Sequence, residues 1–446
     1  MNKITKIGLI IVAGIFIIFL IGGRVQKKCG DGICQSQEER RGSCPEDCTT
    51  GEVTNTTNGV TSTTGEVPST SDKVPNKFKD LYNELASQMT KFDNSLPAPT
   101  NKNHDPIFAA ELLSANANRG KDLLAQNGIV GVNLELNRLK ELGVEGVVIA
   151  VNFPLFYPPF HKNPSEQQAY LDFYKNVAKK VRSKGMKLII ENNFIFTQEG
   201  ISDVDVQGFY KNLSLEEYGR GRFQTALTIA KELKPDYLTL VIEPDTEALQ
   251  TKKPVNSVAV QTAYVKSVLE GFKENGVTGV KIGAGVGTWH PQYKEFTTSF
   301  ANTDIDYIDT HIYPITRDFF DRVLTIADIA KSKGKPVTMS EAWLFKTAGT
   351  ELGSVTETSA FARDTFSFWE PLDQKFLEVI TKLAYAKEFE FISPFWSKYF
   401  FAYLDYDKVS KKSPGELMTL SSIETGKNIA NDKFTSTGLK YKELIQ

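Results

Sequence analysis

Beyond Cys48 the chain has no cysteine at all. All four, Cys29, Cys34, Cys44 and Cys48, fall in one short segment of the 446 residues. The CxxC spacing of zinc clusters is missing there, which argues against structural zinc and for two disulfides in an oxidising compartment. Four cysteines allow three pairings, and their spacing selects none of them. Histidine is equally scarce: His104, His161, His290 and His311 are scattered, and no HExxH occurs. A metal-dependent hydrolase is therefore not expected, and neither a P-loop nor a GxSxG elbow is present. Charge of one sign is lacking too. The net charge is −2 with Lys and Arg dispersed, so nothing marks a nucleic-acid surface. The reading is of a chain without cofactor, metal or nucleic-acid partner.

One long apolar run exists, at residues 7–23, and it carries no charge. Its 17 residues are near the lower limit for a membrane-spanning helix. Lys3 and Lys6 precede it and Arg24, Lys27 and Lys28 follow, so flanking charge does not set its orientation. No small-x-small cleavage site follows, which favours an uncleaved transmembrane anchor over a signal peptide. After the Cys-rich module, residues 49–75 are rich in Thr, Ser and Gly. Such a stretch cannot bury enough surface to offset its ordering entropy, and reads as a disordered linker. The expected organisation is thus an anchor (1–28), a disulfide module (29–48), a linker (49–75) and a globular domain (76–446) held outside the cell.

The globular part has a rhythm. Short apolar runs begin at Ile107, Val144, Met186, Asp236, Val277, Ile305, Pro336 and Phe389. Amphipathic stretches that end near Gly or Pro separate many of them. Strands that are apolar throughout, alternating with helices, imply a parallel sheet covered on both faces. Eight units favour an α/β fold of the (β/α)8 TIM-barrel type. An open doubly wound sheet would carry a Gly-rich phosphate loop after its first strand. The GAGVG run at 283–287 follows the fifth strand instead and lacks the GxGxxG spacing.

In such a barrel the chemistry sits at the C-terminal ends of the strands. There the sequence places Glu243 after strand four, His311 and Tyr313 on strand six, Glu341 and Trp343 on strand seven, and Trp396 after strand eight. Two carboxylates among aromatics suit sugar chemistry, which needs one acid to protonate a leaving oxygen and one carboxylate to attack or activate water. Three βα units separate Glu243 from Glu341 at roughly 33 residues each, close to the roughly 31 implied by a barrel of about 250 residues. Asp245, Glu247, Glu191 and Asp309 are competing carboxylates. Asp309, within strand six, reads as a barrel-interior hydrogen-bond acceptor.

On these residues the chain resembles the large clan of retaining glycoside hydrolases that carry an acid/base Glu on strand four and a nucleophile Glu on strand seven. Glu243-Pro244, His311-x-Tyr313, Glu341 with Trp343, and Trp396 are similar to the clan's motifs. The resemblance implies that Glu341 attacks the anomeric carbon, Glu243 is the acid/base, Tyr313 bonds the nucleophile and Trp396 lies beneath the reacting sugar. It implies a poly- or oligosaccharide substrate with β-linkages, and carboxyls about 5 to 5.5 Å apart. His311, Trp343 and Trp289 are further expected substrate contacts, with His290, Tyr157 and Trp369 as weaker extensions of the cleft. The clan's Asn before the acid/base is replaced by Ile242, so Asn192, Asn193 or Asn152 is expected to supply its amide. The competing reading is a catalytically inactive barrel acting as a cell-surface carbohydrate-binding or adhesion protein.

Overall fold

The computed structural model describes residues 73–98, 104–196, 206–352, 354 and 357–446. The expected anchor, the four cysteines and almost all of the expected linker lie outside the described residues. Val74, assigned to the linker from composition, is buried against the domain. Among the described residues no helix is long and apolar enough to cross a membrane.

Eight strands form on the eight apolar runs: β1 (Ile107–Glu111), β2 (Gly146–Ala150), β3 (Lys187–Glu191), β4 (Tyr237–Thr239), β5 (Lys281–Gly287), β6 (Tyr307–Ile312), β7 (Val337–Ala342) and β8 (Phe391–Pro394). They close into a barrel in sequence order, and every neighbouring pair is parallel, including β1 with β8. Burial on both faces explains why the runs are apolar throughout rather than alternating. The outer ring is made by helices Gly128–Glu141, Pro164–Ser183, Leu215–Thr228, Val258–Glu274, Tyr293–Ala301, Arg322–Ser332, Glu370–Lys387 and Ser436–Ile445. Local chemistry sets their ends. Asn163 accepts a hydrogen bond from the Glu166 amide ahead of Pro164, and Ser214 and Glu217 form a reciprocal capping box. Gly185 and Gly276 stop two of the helices at φ 67°, a left-handed conformation that costs glycine little.

Inside the barrel, Ala109, Val148, Ile189, Tyr237, Tyr307 and Phe391 pack as one apolar layer. On β6 the period-two alternation turns Tyr307, Asp309 and His311 to the same side. Asp309 is fully buried and accepts from Thr239 Oγ1 (2.7 Å), Thr338 Oγ1 (2.8 Å), Ser340 Oγ (2.6 Å) and the Ser340 amide (3.1 Å). It is the barrel-interior acceptor expected from its position. The GAGVG run is strand β5 itself. A Cβ at Gly283 would overlap the Tyr307 ring, one at Gly285 the Asp309 carbonyl, and one at Gly287 the Trp289 ring. These glycines make room for two aromatic rings and a close strand approach. Between β6 and β7 the register shifts, Asp309 pairing with Thr338 but His311 with Glu341. The extra residue on β7 breaks the alternation, so that both Ser340 and Glu341 come within reach of His311.

Candidate active site

Four carboxyls converge at the C-terminal end of the barrel. Glu111 ends β1, Glu191 ends β3 and Glu341 is the penultimate residue of β7. Glu243 precedes the helix Pro244–Thr251, where Pro244 fixes the first helical position. His311 holds three of the four. Its Nδ1 is 2.8 Å from Glu243 Oε1 and 3.3 Å from Glu341 Oε2. Its Nε2 is 3.0 Å from Glu191 Oε1 and 3.1 Å from Ser340 Oγ. Tyr313 donates its hydroxyl to Glu341 Oε2 at 2.6 Å. Glu111 stands apart from this group, accepting from Asn116 Nδ2 (3.3 Å) and from the Trp396 amide (3.2 Å).

The surroundings set the charges. Burial drives Glu341 well above the usual carboxyl range, and repulsion from Glu191 and Glu243 adds to it, against the pull of His311 and Tyr313. Burial also raises Glu243, opposed by its hydrogen bond and attraction to His311. In Glu191 burial is outweighed by His311, and its pKa is lowered. Burial works against the His311 cation, yet Glu341 and Glu191 hold the ring well above its ordinary pKa. Burial pushes Glu111 up to about 8. The group is a set of proton sharers around one cation, and its titrations are coupled.

Ligand atoms of Glu191, His311 and Glu341 also lie within 4.8 Å of one another. Both His311 nitrogens, however, face oxygens at hydrogen-bond distance, and the ring's raised pKa opposes the deprotonation that metal binding requires. We read the cluster as a proton network.

The space bounded by these groups is small, about 20 Å3, and is lined by Glu191, Glu243, Glu341, Tyr313, Phe395 and Phe196, with Asn116, Asn118, Asn152 and Asn193 completing the wall. That is room for a single water. A far larger cavity, about 540 Å3, opens between helices Leu215–Thr228 and Val258–Glu274, and none of its lining residues is on a strand. It holds Glu247, whose carboxylate is taken up by Arg222, by Tyr218 Oη (2.7 Å) and by Gln261 Nε2 (2.8 Å). We therefore place the chemistry at the smaller space, where the carboxyl pair is.

The expected site residues divide accordingly. Glu243, Glu341, Tyr313 and Asn152 line the space, and His311 stands against its carboxyls. Asn193 rather than Asn192 is in the wall; the Asn192 amide is buried without a hydrogen-bond partner. Trp396 is not in the wall either. The backbone turns left-handed there, at φ 74°, the ring packs on Phe361, and Phe395 takes the position beside the carboxyls. Trp343 is buried and stacked on Tyr399 at 5.2 Å. Trp289 donates to Asp245 Oδ2 (3.1 Å) and meets Tyr313 edge-on at 5.9 Å, one ring removed from the space. Trp369 stacks on Tyr82, Tyr157 packs on Phe153, and His290 bonds Asn256. Sequence reasoning passed over Glu111, Asn116 and Asn118. The strand-end rule that selected Glu341 also selects Glu111, at the end of the IFAAE strand; nothing in the sequence marks the two asparagines.

No family model matches the chain, and no curated protein matches its sequence. Solved structures do resemble it. A GH5_18 protein of Bifidobacterium longum subsp. longum, in complex with Manb1-4GlcNAc, is 14% identical over 76% of this chain and 78% of its own, with a TM-score of 0.50. A glycoside hydrolase family 5 mannosidase of Rhizomucor miehei is 14% identical over 74% of this chain and 96% of its own (TM-score 0.44). A β-glucosidase of Thermotoga maritima is 11% identical over 67% and 89% (TM-score 0.41). At these identities the likeness is one of barrel fold.

Proposed function

We propose that the chain is a retaining glycoside hydrolase acting on β-linked glycans, with Glu341 as nucleophile and Glu243 as acid/base. The observation that carries this reading is the shared ring nitrogen: one oxygen of each carboxyl lies on His311 Nδ1, at 2.8 and 3.3 Å. Two oxygens so held are separated by no more than the sum of those distances. That upper bound is compatible with the roughly 5 to 5.5 Å carboxyl spacing of retaining enzymes. Tyr313 orients Glu341, as a nucleophile requires. In the first step Glu341 attacks the anomeric carbon while Glu243 gives its proton to the departing oxygen. In the second, Glu243 takes a proton from water as that water displaces Glu341. Burial, which raises Glu243, keeps it protonated for the first step.

The apolar run at residues 7–23 and the confined cysteines support a membrane-anchored chain whose barrel faces the outside of the cell. A binding-only barrel is the second reading, favoured by Ile242, which is buried and offers no amide to a sugar hydroxyl. Hydrolysis of a panel of β-linked glycans and aryl glycosides separates the two. Turnover that Glu341→Gln abolishes, with the β-configured product released first in NMR, supports the retaining hydrolase. Sugar binding without turnover by the folded wild type supports the binding protein.

A further inference from the structure

We propose that Glu191 is a positioning residue of the carboxyl pair: by accepting the second N–H of His311 it makes the ring a fixed imidazolium, which sets how many protons Glu243 and Glu341 hold between them. This rests on the hydrolase reading above.

A neutral imidazole has one N–H and one lone pair, and only the cation donates from both nitrogens. On the Nδ1 side, the ring faces two carboxyls. On the Nε2 side it faces Glu191 Oε1 at 3.0 Å and Ser340 Oγ at 3.1 Å. Ser340 spends its only O–H on Asp309 Oδ2, at 2.6 Å. Toward His311 its oxygen can only accept, so Nε2 carries a proton. At Nδ1 a proton is donated to Glu243 Oε1 at 2.8 Å, and the proton of Glu243 itself is left to Oε2, which has no other partner. Each nitrogen is therefore protonated.

The charges agree. The groups bearing on Glu191 are His311, Asp309 and Tyr307 from β6, and Ser340 and Glu341 from β7. Those bearing on Glu341 are Glu191, Glu243, His311 and Tyr313. His311 is the one cation in either set. Glu191 is ionised, 1% exposed, and has one buried oxygen with no hydrogen-bond partner. Its charge is answered chiefly by His311, with Ser340 and Glu341 also lowering its pKa. Glu191 thus does two opposed things: it keeps the ring charged, and it repels charge on Glu341. At rest the second proton stays on Glu341, and the nucleophile is released as the pH rises.

The test is Glu191→Gln in the full chain, which keeps an oxygen facing Nε2 and deletes the charge. Two readouts are needed. In histidine labelled with 15N, His311 (assigned by its loss in His311→Asn) is expected to show two protonated nitrogens throughout pH 5 to 9 in the wild type, on the ordinary scale where free histidine titrates near 6.5. In Glu191→Gln the ring titrates inside that range. In the pH–rate profile, the acidic limb moves to lower pH by about one unit or more, the change expected on removing a charge in contact. The acidic limb falls because Glu341 is no longer repelled while His311 is still charged.

A wild-type His311 that is neutral at pH 7 overturns the proposal, and this holds even if the variant does not fold. A lower rate with an unmoved pH profile also overturns it, since that is what a merely structural residue would give. A wild type that hydrolyses nothing, yet shows the imidazolium, sinks the hydrolase reading and leaves the charge assignment of Glu191 standing.

Discussion

Glu341 is pulled two ways: Tyr313 and His311 favour its anion, while burial, Glu191 and Glu243 favour its acid. On the hydrolase reading Glu341 is a nucleophile that must be ionised, and the balance sets the pH at which the protein works. The group is protonated at acid pH, so activity rises as the pH climbs through the raised carboxyl pKa. It falls when Glu243 loses its proton. A bell-shaped kcat/KM profile is expected, with its acidic limb clearly above the ordinary carboxyl value of 4.5; an acidic limb at the ordinary value would contradict it. Glu243→Gln removes the proton donor and should lower kcat by about 10² to 10⁴-fold on glycosides with poor leaving groups. The loss should be much smaller where the leaving group needs no proton, a comparison made with two aryl glycosides. Because the cluster is read as a proton network, dialysis against a chelator should leave kcat unchanged. These residues were only partly legible in the sequence. Glu243, His311, Tyr313 and Glu341 sit next to one another in a strand-end pattern that a sequence displays. Trp396 shows the limit: its place in the pattern is right, but a left-handed φ of 74° turns its ring away and gives the position to Phe395. Backbone dihedrals of that kind have no signature in residue type.

At the scale of the element, β5 and β7 carry the most information. The inward face of β5 is glycine because Tyr307, Trp289 and the Asp309 backbone already fill the space. Gly285→Ala would drive a methyl into the Asp309 carbonyl, and backbone cannot swing aside as a side chain can. A loss at or above the usual overpacking range of about 1–3 kcal/mol is expected, read as a lower denaturant midpoint. Gly185→Ala, with open space around it and a positive φ of 67°, should lose only about 1 kcal/mol from backbone strain. The strand runs themselves were legible, since all eight apolar segments became strands. Their registers were not. The shift between Asp309 and His311 brings Glu341 to the ring, and a one-residue slip of this sort leaves apolar content unchanged.

For the whole molecule, barrel closure and charge are linked at Glu111, which ties β1 to the residues after β8 through the Trp396 amide. Its pKa is raised from 4.5 to about 8 by burial, so the folded state holds a proton that the unfolded chain releases. The stability this proton gives is fully present below about 4.5 and is lost as the pH rises towards about 8. Thermal unfolding should therefore show Tm declining across that window, and Glu111→Gln, which mimics the protonated acid, should flatten the decline. A decline of equal slope in the variant would assign it to other groups, among them Asp373, raised to about 7. The architecture was the most legible level of all, because eight alternating units leave few alternatives. The space at the barrel mouth was the least legible, since it depends on how eleven side chains from separate elements meet. At about 20 Å3 it admits one water. On the hydrolase reading, a sugar seated between the carboxyls displaces Phe196 or Phe395, and its apparent affinity is reduced by the fraction of molecules whose mouth has opened. Substitutions that merely prop the mouth open, at Phe196 or Phe395, would then tighten binding without adding a contact.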